Sequence, residues 1–174
     1  MNEPPDFTRT LADLRAAFDR SFALPPEEGS GGSLVDAVDL RAGDDRYLVR
    51  MSDFSAMDRV DRVVPLPAQR KEFLGVAGVR GAVVPVYSLA ALLGDGGARE
   101  DSTWVLLCQT PAHLGLSFNR FEGFRRIPSS EIGSDRGSGK HALGFASIDG
   151  TALPILDIRS ILGEILGSRA SGSP

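Results

Sequence analysis

One pattern of twenty-two residues occurs twice in this chain. Its first copy, Phe73 to Gly94, reads FLGVAGVRGAVVPVYSLAALLG, and its second copy, Ala142 to Gly163, reads ALGFASIDGTALPILDIRSILG. The two copies align without a gap, and three glycines and one proline are among the seven identical positions. Because glycine and proline constrain the backbone more than other residues, this match predicts two halves with the same local fold.

Each copy predicts a strand, a tight turn, a second strand and a short helix. In the first copy two apolar strands flank Arg80-Gly81, where the glycine can adopt positive φ. Ser88 follows as a helix cap, and Asp157 stands at the same place in the second copy. The sequence therefore predicts a matched hairpin and helix in each half.

The remainder of the body, residues 34–166, predicts further short strands separated by turns. One example is Ala42-Gly43-Asp44-Asp45, a hairpin turn between two strand-like runs. Helices long enough to serve as βαβ crossovers are missing, so the pattern favours small β-barrels over an α/β sheet.

The first 33 residues have a different character. Phe7, Leu11, Leu14 and Phe18 recur at helical spacing, which predicts an amphipathic helix. A flexible Pro/Gly/Ser linker, residues 25–33, separates it from the body. Two interpretations stay open: the helix packs against its own domain, or it binds in a groove of a partner protein. At the other end, residues 167–174 are expected to form a disordered tail.

Composition and charge exclude several classes of function. The net charge of −4 and the pI near 5.2 argue against a general nucleic-acid binder and against electrostatic docking on anionic lipid. No apolar run reaches the roughly 20 residues needed to span a bilayer, and the acidic N-terminus does not resemble a secretory signal. The single Cys108 cannot form an internal disulfide. We expect a soluble, cytoplasmic protein without direct membrane insertion.

Catalytic and metal-binding motifs are scarce. His113 and His141 are the two histidines, and neither has a second ligand at metal-site spacing. The chain has no Gly-x-Ser-x-Gly motif, although a Ser-His-Asp site is assembled in space and leaves no fixed spacing. The run from Ser134 to His141 departs from a phosphate-binding loop at two of its key positions. We therefore expect no enzymatic activity, cofactor or metal.

Arg80 is the charged residue of greatest interest, because it lies at the tip between two strongly apolar strands. It is either a solvated turn residue or an arginine that contacts a protein partner, since arginine beside apolar residues is typical of binding hot spots.

The stretch from Gly75 to Leu89, GVAGVRGAVVPVYSL, resembles the CheW family of chemotaxis coupling proteins, as does the preceding VDRVVPLP of residues 60–67. The resemblance covers residues 34 to about 166. It implies a mainly β fold of two intertwined, five-stranded, SH3-like barrels with short helices, to which the N-terminal helix is an addition. The family commonly has Asn at the position of Gly78 and Asp at that of Ser88.

The resemblance also implies a function. CheW-like proteins are non-catalytic adaptors of two-component signal transduction. They bind the regulatory domain of a CheA-type histidine kinase and, in an apolar groove near the Arg-Gly turn, the cytoplasmic tip of methyl-accepting chemoreceptors. The receptor-facing residues would be Arg80 and Gly81 at the turn, with Val79, Val84 and Val86 in the groove.

We therefore expect a scaffold that couples a chemoreceptor to the kinase in a chemosensory array. The alternative hypothesis is a divergent CheW-like hub whose N-terminal helix, through Phe7, Leu11, Leu14 and Phe18, recruits a different protein, with the kinase or receptor contact weakened.

Overall fold

A computed structural model describes residues 33–95, 104–109, 113–133 and 139–170. Contacts divide the chain into two units, Met1–Gly32 and Ser33–Pro174, and all described residues belong to the second unit. The predicted N-terminal helix with Phe7, Leu11, Leu14 and Phe18 lies outside the described residues.

Short strands make up most of the described residues. In chain order they are β1 (Leu34–Ala42), β2 (Asp45–Arg50), β3 (Ala56–Arg59), β4 (Phe73–Val79), β5 (Ala82–Ser88), β6 (Trp104–Cys108), β7 (Leu114–Phe118), β8 (Arg120–Pro128), β9 (Ile132–Gly133), β10 (Ala142–Ile148) and β11 (Thr151–Leu156). Within the described residues the α-helices are α1 (Leu89–Leu92) and α2 (Ile158–Ala170), and single 3-10 turns occupy Met51–Asp53 and Ser129–Glu131.

The strands form two sheets. Sheet A has the order β8-β1-β2-β11-β10-β9, and sheet B has the order β3-β6-β7-β5-β4. The predicted mainly β fold with few helices is confirmed. Sheet A holds one strand more than the predicted five, because Ile132–Gly133 pairs with the free edge of β10.

The sequence repeat corresponds to a structural repeat. The hairpins β4–β5 and β10–β11 turn at Arg80-Gly81 and Asp149-Gly150, with φ of 52° and 80° in the first and 52° and 79° in the second. Two successive residues with positive φ give the turn whose twist matches that of antiparallel strands. Helix α1 then follows β5, and helix α2 follows β11.

Gly75 and its repeat partner Gly144 are required by a close backbone contact. Each lies at a register shift in its hairpin. A Cβ atom on Gly75 would overlap the carbonyl oxygen of Val64, and one on Gly144 would overlap that of Gly133. The equivalent glycines thus let a further segment approach the outer edge of each hairpin.

The structural repeat extends beyond the twenty-two residues to all five strands of each barrel, as the registers show. In sheet B, Asp58 pairs with Val105, Val105 with Ser117, and Val86 with Gly115. In sheet A the equivalent residues pair in the same order: Arg125 with Ala37, Ala37 with Arg50, and Ile155 with Leu48. Strands β3, β6 and β7 are therefore equivalent to β8, β1 and β2.

This equivalence explains how the two halves intertwine. The described part of the chain contains two successive five-stranded copies, β1–β5 and then β6–β8 with β10 and β11, and β9 is an additional strand at the edge of sheet A. Sheet A takes β1 and β2 from the first copy and β8, β10 and β11 from the second, while sheet B takes the remaining strands. Each barrel is thus assembled from both copies, as the predicted intertwined fold requires.

Three apolar clusters fill the interior. The interior of barrel B, which sheet B forms, contains Val60, Ala77, Val79, Val84, Val86, Val105 and Leu107. The interior of barrel A, which sheet A forms, contains Ala37, Leu48, Ile127, Ala146, Leu153 and Ile155. A larger central core packs strands of both sheets with both helices.

The interior of barrel A also contains an acidic residue. Asp39, which the register makes equivalent to Leu107, is completely buried and accepts hydrogen bonds from Arg46 Nε at 2.8 Å and Arg125 Nε at 3.0 Å. Burial alone would raise the pKa of Asp39, but the hydrogen bonds from Arg46 and Arg125 outweigh it and lower the pKa below its ordinary value.

The boundary predicted at residue 166 needs a correction. Helix α2 continues to Ala170, so residues 167–170 of the predicted tail are helical. The apolar residues Ile158, Ile161, Leu162 and Ile165 are fully buried in the central core, which anchors the helix. Residues 171–174 lie outside the described part of the chain.

Candidate functional site

The structure places the Arg80-Gly81 turn at an exposed hairpin tip. The Arg80 side chain is 62% exposed, and its Nε lies 3.2 Å from Asp58 Oδ2 on β3. Because β3 and β4 are the two outer strands of sheet B, this ion pair links the two edges of barrel B. The guanidinium therefore lies against Asp58 while most of it stays accessible to a partner.

The predicted groove residues Val79, Val84 and Val86 are not on the surface. Their exposed fractions are 4%, 0% and 0%, because side chains alternate along a strand and these three point into barrel B. The groove expected from them is therefore corrected: they support the hairpin from inside and do not form a surface that a partner could contact.

An exposed apolar surface lies on the opposite face of the same hairpin. Val83 is 75% exposed and pairs with Gly78, where nothing lies within 4 Å of the position of a Cβ atom. Val64, which is 47% exposed, pairs with Val76, and Val76 pairs in turn with Pro85. These five residues are called the hairpin surface below.

A second candidate surface is a row of aromatic rings. The Arg59 guanidinium lies 5.6 Å from the ring centroid of Trp104, the Trp104 and Phe121 centroids are 5.6 Å apart, and those of Phe121 and Phe124 are 5.0 Å apart. Phe124 is 62% exposed. The aromatic row joins β3 and β6 of sheet B to β8 of sheet A, and both β3 and β8 are edge strands.

Sequence reasoning missed this row. The chain separates Arg59, Trp104 and Phe121 widely. The pairing of β3 with β6 brings Arg59 beside Trp104, and the packing of sheet A against sheet B brings Phe121 to the same ring. The spacing of Phe121 and Phe124 was a local signal, but in a strand it predicts opposite faces. The rings meet because the register of β8 against β1 shifts between Asp39 and Leu40.

The described residues also form a cleft of about 530 Å³. It lies between the segment from Ser52 to Ser55 after β2 and helix α2, and its lining includes Gln109, Arg159 and Gly163. Arg50 donates to both carboxylate oxygens of Asp53 at one side of the cleft, at 2.9 and 3.2 Å.

His141 connects strand β10 to helix α2. Its Nε2 lies 2.8 Å from Glu164 Oε2, and its Nδ1 lies 2.9 Å from Ser160 Oγ. A hydrogen bond from Lys140 and then one from His141 lower the pKa of Glu164, so the carboxylate accepts and Nε2 is the donating nitrogen.

Ser160, His141 and Glu164 have the hydrogen-bond connectivity of a nucleophilic triad, but such a site also needs an N–H group that can stabilise an oxyanion. The Ser160 backbone N–H donates to Asp157 Oδ1, the helix cap, and so is not free to stabilise an oxyanion. The cluster therefore connects the first turns of α2, through Ser160 and Glu164, to Lys140 and His141 just before β10.

Other reactive groups offer no site within the described residues. Burial raises the pKa of the Cys108 thiol to about 12, so the thiol stays protonated near neutral pH. Across residues 33–95, 104–109, 113–133 and 139–170, no group of three or more His, Cys, Asp or Glu side chains could hold a metal ion. Nor do these residues include a helix long and apolar enough to cross a membrane.

Comparison with known proteins identifies the family. The profile of the CheW-like domain matches residues 36–166 of the chain. The chain belongs to the CheW-like domain family. This finding confirms the resemblance that the Arg80-Gly81 motif indicated.

Relatives and one solved structure agree with this assignment. The chemotaxis protein CheW of Thermotoga maritima is 29% identical over 107 residues, which cover 59% of this chain and 71% of that protein. Protein FrzA of Myxococcus xanthus is 30% identical over 131 residues, which cover 70% of this chain and 81% of FrzA. The scaffolding protein TtCheW of Thermoanaerobacter tengcongensis has the same fold, with a TM-score of 0.61 at 18% identity over 71% of this chain and 89% of TtCheW.

Proposed function

We propose that this CheW-like scaffold couples a chemoreceptor to a CheA-type histidine kinase without catalysing a reaction itself. The observation that carries the proposal is the match of a CheW-like domain to residues 36–166, which include both exposed candidate surfaces. On this proposal the protein works in the cytoplasm and reaches the membrane only through the receptor.

A coupling protein has to bind two partners at once, and the two surfaces suit this requirement. Asp58 and Arg59 are consecutive residues of β3, so their side chains point to opposite faces of the strand. Asp58 holds Arg80, and Arg59 begins the aromatic row. A partner at the Arg80 tip therefore leaves the aromatic row accessible.

We assign the receptor to Arg80 and the hairpin surface. The tip of a chemoreceptor is a helical hairpin, and Val83, Val64 and Pro85 offer apolar contacts to one face of a helix. Arg80 can satisfy a carbonyl or carboxylate group of that helix by turning from Asp58, since the ion pair between them is exposed and weak.

We assign the kinase regulatory domain to the aromatic row. Aromatic rings and arginine dominate the energetics of contacts between globular proteins, and the row combines Arg59 with Trp104, Phe121 and Phe124. The edge strands β3 and β8 on either side supply backbone groups that a partner strand can pair with.

The test is a set of calorimetric titrations of the full chain and its variants. The regulatory domain of the CheA-type kinase from the same organism is one titrant, and a helical-hairpin tip of a chemoreceptor from that organism is the other. We expect Arg80→Ala to weaken receptor binding by at least about tenfold, and Phe124→Ala to weaken kinase binding by a similar factor. Lys140→Ala is the control, because the Lys140 side chain is 69% exposed and belongs to neither candidate surface.

The assignment of the surfaces and the coupling function can be rejected independently of each other. Binding of both partners with unchanged affinity in Arg80→Ala and Phe124→Ala would keep the scaffold and reject the surfaces. No binding of either partner by the folded wild-type protein would reject the coupling function.

The hub hypothesis requires a different result. Deletion of residues 1–33 would leave kinase and receptor binding intact in a coupling adaptor. In a hub it would abolish binding of the protein that the N-terminal segment recruits, which co-purification from the source organism with and without the segment would detect.

A further inference from the structure

Gly78 is a glycine that the fold does not require. Its φ lies outside the left-handed region, and nothing lies within 4 Å of the position that a Cβ atom would occupy. Gly75 and Gly81 of the same hairpin differ from it, since both have positive φ. A glycine inside a strand weakens the strand, because it has no side chain to pack and the most backbone entropy to lose. Gly78 therefore lowers stability without a reason in the fold.

The equivalent position in the other hairpin carries a side chain. Ser147 is the repeat partner of Gly78, and it pairs with Ala152 as Gly78 pairs with Val83. Both Ser147 and Gly78 are exposed, so the hairpin backbone accommodates a side chain at this position. Departures from local sequence preference are expected at functional sites. The glycine is therefore explained better by binding than by folding.

The missing side chain leaves a notch in the hairpin surface. Val83 lies directly opposite Gly78 on the neighbouring strand and is 75% exposed, and Val76 lies two residues earlier on the same face. The Arg80-Gly81 turn bounds the other end. Val76 and Arg80 are four residues apart, which is about 13 Å along a strand, so the notch is one side chain wide. Its apolar sides and bare backbone base suit an aliphatic or aromatic side chain.

We propose that Gly78 determines which receptor this protein binds, because the notch receives one large apolar side chain, Leu, Met or Phe, from a helix of the receptor tip. The proposal rests on the proposed function and names the group that the receptor places on the hairpin surface. Residues one turn away on the same face of that helix contact Val64 and Pro85. A receptor with a small or polar residue at the inserted position leaves the notch unfilled and binds more weakly, which is how Gly78 discriminates between receptors.

The experiment is a calorimetric titration of the full chain and its variants with a helical-hairpin tip of a chemoreceptor from the same organism. We expect Gly78→Val to weaken receptor binding by at least about tenfold, because the valine occupies the notch. Gly78→Ala should weaken it by less, because a methyl group fills only part of the notch. Ser147→Val is the matched control, since it adds a side chain at the equivalent exposed position of the other hairpin and should leave receptor affinity unchanged.

Urea unfolding separates an effect on the notch from an effect on the fold. The free energy of unfolding of Gly78→Val should be no lower than that of wild type, because valine favours strands more than glycine does and the space around Gly78 is open. A lower value would show that the fold requires the glycine and would overturn the proposal.

Truncation of the receptor identifies the side chain that enters the notch. Each large apolar residue of the receptor tip is replaced by alanine in turn. One of these receptor variants should bind wild-type protein at least about tenfold more weakly and should bind Gly78→Val no more weakly than it binds wild type. Such non-additivity between two single changes is the signature of a direct contact between the two positions.

Failure of this proposal can be distinguished from failure of the proposed function. A wild-type protein that binds no receptor tip would overturn both. A receptor tip that binds wild type and Gly78→Val equally would overturn the notch alone and leave the coupling function standing. The same conclusion would follow if the effect of every receptor variant simply added to that of Gly78→Val.

Discussion

Replacing Asp39 with alanine tests the account of barrel A most directly. The carboxylate is completely buried and holds Arg46 and Arg125, which come from different copies of the repeat. Removing one member of a buried charge cluster typically costs about 3–5 kcal/mol, since the remaining charges lose their partner. The two arginine side chains are 24% and 32% exposed and can reach water, so we expect a destabilisation of about 3 kcal/mol.

Asp36→Ala is the matched control, because Asp36 lies on the same strand and pairs with Arg126 of β8 at 2.8 Å. Both of those side chains are more than half exposed, so its loss should cost less than about 1 kcal/mol. Urea unfolding of wild type and both variants at pH 7 measures the free energies of unfolding. A cost for Asp39→Ala no larger than that for Asp36→Ala would refute the reasoning.

The pH dependence provides a second check on Asp39. Its pKa is lowered from the ordinary value of 3.8, so the folded protein binds the proton more weakly than the unfolded chain does. The stabilisation is therefore complete above about pH 4 and is lost as the pH falls through the lowered pKa. The stability difference between wild type and Asp39→Ala should accordingly shrink only in acid, below the ordinary pKa.

Three further predictions concern a close contact, the thiol and the exposed tip. Gly75→Ala should destabilise the fold by at least about 3 kcal/mol in urea unfolding, because Gly75 has a φ of 136° and a Cβ atom there would overlap Val64. Gly78→Ala is its control and should cost less than about 1 kcal/mol, because the space around Gly78 is open. Cys108 should react with a disulfide reagent at pH 8 only as fast as the protein unfolds, and faster labelling would contradict its burial. Arg80→Ala should change the free energy of unfolding by less than about 1 kcal/mol, a larger loss indicating a structural role for the tip.

The sequence predicted the hairpins well because backbone geometry limits which residues can stand there. The Gly75 and Gly144 positions tolerate no side chain, and Gly81 and Gly150 adopt positive φ, so both copies keep the same residue. These are the positions at which the two halves are visibly alike.

The other equivalent strands do not resemble each other in sequence. Equivalent positions in β1 and β6 hold Ala37 and Val105, and two residues further on Asp39 and Leu107. Many residues satisfy a strand that packs inside a barrel, so a shared fold does not require shared identities. The five-stranded period therefore emerges only from the strand registers.

The groove prediction was wrong for a related reason. Strand β5 is apolar on both faces: Val84 and Val86 fill barrel B, while Tyr87 packs in the central core on the other side. A continuous apolar run does not show which residue is exposed. Val83 is exposed because the hairpin extends past the end of the central core, which is a property of the whole fold and not of the local sequence.

The two hairpins share a backbone conformation but carry different charged residues at their tips, and this difference has a physical basis. Exposed ion pairs contribute little to stability, so the turn residue can change from Arg80 in one hairpin to Asp149 in the other at almost no cost to the fold, whereas Arg125 also holds the buried Asp39. The crowded glycines cannot vary in this way, since a side chain at Gly75 or Gly144 would overlap a backbone carbonyl oxygen. A duplicated barrel can therefore keep one architecture while its two hairpin tips carry different charges at Arg80 and Asp149, residues whose identity the turn conformation does not fix.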